Sequence, residues 1–307
     1  MSTIKIEDVA FVRFRAPDLK EMRGFLEDFG LAIVAADEQR LFARGTGPAP
    51  FLHATERGDP GFAALGLRAA SLADLRRLAA AEGAEIQALD APGGGQMVAL
   101  SDPDGHRVEI VAGQEMAPPL PLPVHEAWNT AQKQKRLRRV KRTGAGAHAV
   151  RLGHCVLNVA NFRTSERWYK DRFGFLTSDE IAVTPEFSLG AFLRCDRGEA
   201  PTDHHTLFLM QSPKGPGFNH AAFEVADIDD LMAGHTRLQA AGRAAEWGVG
   251  RHLLGSQIFD YWRDPWGHAL EHWTDGDLFT AEDGSRVVGL PQLLGVHWGP
   301  AAPPTMG

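Results

Sequence analysis

Short apolar runs alternate with amphipathic stretches along the chain. Ala10 to Phe14 and Cys155 to Val159 are strand-like, and each leads into a helical pattern closed by a glycine, Gly30 or Gly174. Further strand-like runs follow, such as Leu41-Phe42-Ala43 and Ala191-Phe192-Leu193. Another begins after a Pro-Gly-Phe triplet, at residues 60–62 and again at 216–218. Helical patterns over Ser71 to Glu82 and Asp227 to Ala241 come next, each opened by a capping residue and followed by Gly83 or Gly242. A last pair of strands is joined by Asp102-Pro103-Asp104-Gly105 in one half and Asp264-Pro265-Trp266-Gly267 in the other. Proline and glycine supply the dihedrals such turns need.

These parallels are a duplication. The matching glycines, Gly30 and Gly174, lie 144 residues apart, the triplets 156 and the turns 162, so the second copy has slightly longer loops. Within each half the pattern β-α-β-β-β occurs twice, which predicts an α+β fold. The expected organisation is a first domain over 1–112, a linker over 113–148, a second domain over 149–280 and a tail over 281–307. The linker is Pro-rich and then carries seven basic residues in ten from Lys133 to Arg142, read as a solvated helix or connector.

Composition narrows the classes. A chain of 307 residues with 44% apolar and 23% charged residues is an ordinary globular protein, long enough for two cores. A net charge of −7 argues against a nucleic-acid partner. No apolar run approaches the ~20 residues that span a bilayer, and the first residues do not read as a signal peptide, so no membrane partner is expected. Two cysteines, Cys155 and Cys195, cannot form a disulfide framework, so a cytoplasmic location is expected.

The second half carries the chemistry. His154 opens its first strand, His220 opens another, and Glu271 lies on the last, in His268-Ala269-Leu270-Glu271-His272-Trp273. A carboxylate inside an apolar strand is costly unless it is paired or bound to a cation. Two imidazoles and one carboxylate with open positions suit non-haem Fe(II) that handles O2. Projected by these three offsets in turn, the positions fall on Ala10, Ala64 and Glu109, so the first copy is expected to be metal-free. His268 and His272, beside Glu271, read as structural or as supports behind the ligand, with no catalytic role.

At these residues the sequence resembles the type I extradiol ring-cleavage dioxygenases of the vicinal oxygen chelate superfamily. The resemblance covers about residues 5–280 and is densest from 152 to 275, where His252 to Tyr261 is nine residues and Tyr261 to Glu271 ten. It implies two tandem vicinal-oxygen-chelate domains, each of paired βαβββ modules, and His154, His220 and Glu271 as ligands of Fe(II), with Mn(II) as the other candidate. It also implies a catechol and O2 as partners and a homo-oligomer. His205, in Asp203-His204-His205-Thr206, matches the acid–base histidine, with the adjacent His204 as the alternative; strand alternation would turn the two to opposite faces. His252 and Tyr261 match groups that hydrogen-bond the substrate. One position departs: homoprotocatechuate-type enzymes hold the substrate carboxylate with an arginine where this chain has Trp247, and an asparagine of that subgroup is here Val156. Both changes favour an apolar aryl or alkyl substituent, unless charge enters from Arg243 or from the tail near His297. The competing expectations are a glyoxalase-like isomerase or transferase on the same fold and a metal-free binding protein.

Overall fold

The computed structural model describes residues 2–122, 131 and 146–304; the basic run 133–142 lies outside the described residues. The first half runs β1 (Ile6–Ala16), α1 (Leu19–Asp28), β2 (Ala32–Ala36), β3 (Arg40–Arg44), β4 (His53–Arg57), β5 (Gly61–Ala69), α2 (Leu72–Glu82), β6 (Ile86–Ala88), β7 (Gln96–Ser101) and β8 (Arg107–Ala112). The second repeats it as β9 (Ala149–Val159), α3 (Phe162–Phe173), β10 (Leu176–Thr184), β11 (Phe187–Arg194), β12 (Thr202–Asp203) and β13 (Leu207–Gln211). It continues with β14 (Gly217–Val225), α4 (Ile228–Ala240), β15 (Ala244–His252), β16 (Ile258–Arg263), β17 (Ala269–Thr274) and β18 (Leu278–Phe279). The last stretch folds as β19 (Arg286–Gly289), α5 (Leu290–Leu293) and β20 (Val296–Trp298). Each half is therefore two βαβββ modules, the α+β pattern read from the sequence. No helix among the described residues is long and apolar enough to cross a membrane.

Local chemistry sets these boundaries. Asp18, Ser71, Asn161 and Asp227 cap the four long helices by accepting hydrogen bonds from first-turn amides. Both Asp-Pro-x-Gly turns close alike: Asp102 accepts from the amides of Asp104 and His106, and Asp264 from those of Trp266 and His268. Gly30 sits at φ 89°, where a Cβ would lie 2.3 Å from the Ala147 carbonyl oxygen, so only glycine fits.

The modules join through their first strands. One sheet has the order β2-β3-β4-β1-β5-β8-β7-β6, the other β19-β10-β11-β13-β9-β14-β17-β16-β15-β20. In each, the first strands of the two modules pair antiparallel at the centre, and each also pairs parallel with the last strand of its own module. One apolar core runs through both halves, from Phe14, Phe25 and Leu65 to Phe162, Tyr169 and Trp262. Side chains also tie the halves together. The Phe29 ring stacks on His272 at 3.9 Å, and its carbonyl accepts a 2.7 Å hydrogen bond from the His272 ring. His268 is held by Asp264 and packs against Phe14. Both histidines beside Glu271 thus have structural partners. Residues 281–304, read as a tail, instead extend the second sheet: β19 pairs with β10, and β20 with β15.

Candidate metal centre and its pocket

The register of the second sheet lines up the site. His154 pairs with Ala222, Ala222 with Glu271, Glu271 with Tyr261 and Tyr261 with Trp247, one row across β9, β14, β17, β16 and β15. Paired residues share a face, so this row points to one side. His220 stands two residues before Ala222 and joins that face. His154 Nε2 and His220 Nε2 come within 3.2 and 3.5 Å of the same Glu271 oxygen. The ligand atoms of His154, His220 and Glu271 all lie within 4.8 Å of one another.

The donor set fits a divalent cation. Glu271 is fully buried, and neither of its oxygens has a hydrogen-bond partner. A buried carboxylate in that state costs several kcal/mol unless a cation compensates it. The Nδ1 of His220 faces Asn219 Oδ1 at 2.8 Å; as donor there, it leaves the Nε2 lone pair towards Glu271. Asn219 is in turn steadied by Asn158 at 3.3 Å. Burial, with the nearby His154, holds His220 well below the usual imidazole range, so it stays neutral, as a ligand must.

Around this centre lies a pocket walled by Val156, Phe192, Phe208, Met210, Leu254 and, from the C-terminal segment, Leu293 and Leu294. His205, His252, Tyr261 and Trp247 also line it. The His205 ring lies 4.0 Å from that of His154; burial first, then the neighbouring imidazoles, push its pKa well below the ordinary value. His252 Nε2 meets the Tyr261 hydroxyl at 3.1 Å. Burial pulls His252 down to about 3 and, aided by the Glu271 charge, raises the Tyr261 phenol. Trp247 stacks on Tyr261, and its indole N–H donates to the Pro300 carbonyl at 3.0 Å. None of the described residues lining the pocket is a lysine or arginine. Arg243 is bound to Asp28 at 2.7 Å, and neither it nor His297 reaches the pocket.

Two readings of the sequence need correction. His204 and His205 lie in a bend between β12 and β13, not on a strand, so alternation does not separate them. Both are buried, and their Nδ1 atoms face each other at 3.0 Å. The projection of His154 onto Ala10 is also off by one. Arg13 pairs with Ala64 as Val156 pairs with His220, and Phe11 pairs with Gly66 as His154 pairs with Ala222. The counterpart of His154 is therefore Phe11. By the same logic Phe51 stands for His205, because Val12 pairs with His53 as Cys155 pairs with Leu207.

The first half thus has an apolar version of the same place. Phe11 and Phe51 pack at 4.6 Å, and Ala64 replaces His220. Glu109, the counterpart of Glu271, is buried but satisfied: Arg13 donates to it at 3.1 Å and Arg107 at 2.7 Å. A guanidinium supplies in one half the positive charge that the other half lacks. Asn219, the aromatic and aliphatic walls and the role of the C-terminal segment went unseen in the sequence. Asn219, next to a candidate ligand, was the only one with a local signal.

Comparison with known proteins gives three findings. Residues 151–272 match the family model of the Glyoxalase/Bleomycin resistance protein/Dioxygenase superfamily. The chain is 33% identical over 159 residues to metapyrocatechase 2 of Cupriavidus necator, covering 50% of this chain and 45% of that one. It is 28% identical over 131 residues to the iron-dependent extradiol dioxygenase of Rhodococcus jostii, covering 41% and 43%. The matched segments span less than half the length of these relatives. In structure it superposes on the Mn(II)-bound glyoxalase from Novosphingobium aromaticivorans with a TM-score of 0.79 and 23% identity, over 99% of this chain and 94% of that one. That likeness establishes the fold.

Proposed function

We propose that this chain, whose residues 151–272 belong to the Glyoxalase/Bleomycin resistance protein/Dioxygenase superfamily, cleaves a catechol ring with O2 at a position outside the two hydroxyls. The observation that carries the reading is Glu271, buried without a hydrogen-bond partner between two imidazoles and beside a third that is not needed as a ligand. His154, His220 and Glu271 would hold Fe(II), or Mn(II) in its place. When bound, such an ion would supply a common binding point for the catechol and O2 and the redox chemistry between them.

The chain's own groups do the rest. His205, kept neutral by burial, is placed to take a proton from the catechol and later deliver it to oxygen as the O–O bond breaks. The Tyr261 hydroxyl, fixed by His252, can donate a hydrogen bond to a substrate oxygen without giving up its proton, because its pKa is raised. Phe192, Phe208, Met210 and Leu254 exclude water and pack the ring substituent. With Trp247 on the wall and no cationic side chain there, the favoured substituent is an apolar aryl or alkyl group. Cytoplasmic residence and self-association belong to the same proposal; both cysteines are unpaired, and Leu253, Leu290 and Trp298 stand exposed.

A second reading, a metal-dependent isomerase or transferase of the glyoxalase kind, draws support from the structural likeness to a glyoxalase. Oxygen uptake separates the two. Protein loaded with Fe(II) under anaerobic conditions should consume O2 when given 3-methylcatechol or 2,3-dihydroxybiphenyl and air, and His154→Ala should lose both metal retention and uptake. Full metal retention with no uptake across a catechol panel would favour the isomerase.

A further inference from the structure

Behind His205 runs a chain of polar groups, buried except for Arg286 at its outer end, that does not line the pocket. Arg286, on β19, donates two hydrogen bonds of 2.9 Å to the carboxylate of Asp179 on β10. Asp179 faces His204 Nε2 at 2.8 Å, and His204 Nδ1 faces His205 Nδ1 at 3.0 Å. Burial alone would raise Asp179, but its bonds to His204 and Arg286 hold it below the ordinary carboxylate value, so it is ionised. The Ser178 hydroxyl donates to the His204 carbonyl at 2.6 Å and fixes the backbone.

Proton bookkeeping along this chain has a consequence for His205. An ionised carboxylate only accepts, so His204 Nε2 carries the hydrogen. With its ring hydrogen on Nε2 towards Asp179, His204 presents its Nδ1 lone pair to His205. The contact with His205 requires one donor, which must be His205 Nδ1–H. That leaves the lone pair of His205 on Nε2, the ring nitrogen not engaged by His204, on a residue that lines the pocket.

We infer that the Arg286–Asp179–His204 chain is a positioning relay that fixes the tautomer and orientation of His205. The inference rests on the acid–base role proposed above. His204 touches no reacting atom; it acts through its neighbour, as a carboxylate orients the base in a hydrolase triad. The strand that delivers Arg286 belongs to the C-terminal segment, so that segment serves the site from behind as well as lining the pocket.

The test uses His204→Phe, which keeps a ring of similar size but cannot accept, and His204→Asn, whose side-chain oxygen can accept from His205 Nδ1–H. The direct readout is two-bond 1H–15N NMR on metal-free protein labelled at histidine nitrogen, with His205→Asn to identify the signal. The wild type and His204→Asn should show His205 protonated at Nδ1 and bare at Nε2, and His204→Phe a mixture of tautomers. In the iron-loaded enzyme, kcat should fall about 10- to 100-fold in His204→Phe, with KM and iron content within about twofold, and recover largely in His204→Asn. If His204→Phe does not fold, Arg286→Met, at an outward side chain, should give a partial shift of the tautomer ratio. A wild-type His205 protonated at Nε2, or a His204→Phe or Arg286→Met protein with an unchanged tautomer, overturns the relay. A wild type that turns over no catechol overturns the proposed reaction instead and leaves the NMR result decisive for the relay.

Discussion

Replacing Glu271 by glutamine should stabilise the metal-free protein and destabilise the metal-loaded one. Glu271 is fully buried and its oxygens have no hydrogen-bond partner; the rings beside it are His154 and His220, at 3.2 and 3.5 Å, and burial keeps His220 neutral. An unpaired buried carboxylate costs several kcal/mol, and an unpaired amide of the same shape about 1–3 kcal/mol. The substitution should therefore raise the metal-free unfolding free energy by about 1–3 kcal/mol. With metal at a thousand times its Kd, the wild type gains about 4 kcal/mol by binding, most of which the glutamine variant forfeits. The sign of the difference thus reverses with metal. The assay is urea unfolding at pH 8, anaerobic, in chelator and in excess Fe(II) or Mn(II). Equal destabilisation of Glu271→Gln in both conditions would refute the reasoning, because it would make the carboxylate a structural group like Glu109.

Metal titration should saturate at one ion per chain, since Phe11 and Ala64 cannot ligate and Glu109 is already paired with Arg13 and Arg107; a second tight equivalent would contradict the metal-free first half. His53, pulled down to about 3 by burial, is neutral when folded but takes up a proton when unfolded below its ordinary value near 6.5. Its contribution is therefore complete above pH 6.5 and lost as pH falls towards 3, amounting to about 2 kcal/mol at pH 5. Urea unfolding at pH 7 and pH 5 should show a shallower acid loss in His53→Phe, and parallel losses would count against it. Trp247→Arg should shift the kcat/KM ratio of carboxylated to methylated catechols upward by roughly 10- to 100-fold, the worth of one charge-assisted hydrogen bond. A wild type that already prefers the carboxylated substrate would oppose the apolar assignment.

The fold was legible because its signals are local. Asp18, Ser71, Asn161 and Asp227 cap helices, and the two Asp-Pro-x-Gly turns close on their own amides. The ligand candidates were legible because His220 and Glu271 break apolar strands. What stayed hidden depends on pairing between distant segments. The counterpart of His154 is Phe11 because strand register, not a constant offset, sets equivalence. His204 looked like an outward neighbour because a bend cannot be told from a strand in the polar run Thr202 to Thr206. The part of 281–304 in the pocket is a matter of edge pairing by β19 and β20, which are too short to show a period.

The most direct measurement is the fate of molecular oxygen. Anaerobic Fe(II)-loaded protein, given 3-methylcatechol and then 18O2, should yield a ring-opened product that carries two labelled oxygens, with one O2 consumed per catechol. Both labels should vanish in Glu271→Gln. A ring-opened product with no label, or a catechol left intact while the loaded protein isomerises a glutathione adduct, would contradict ring cleavage at His154, His220 and Glu271.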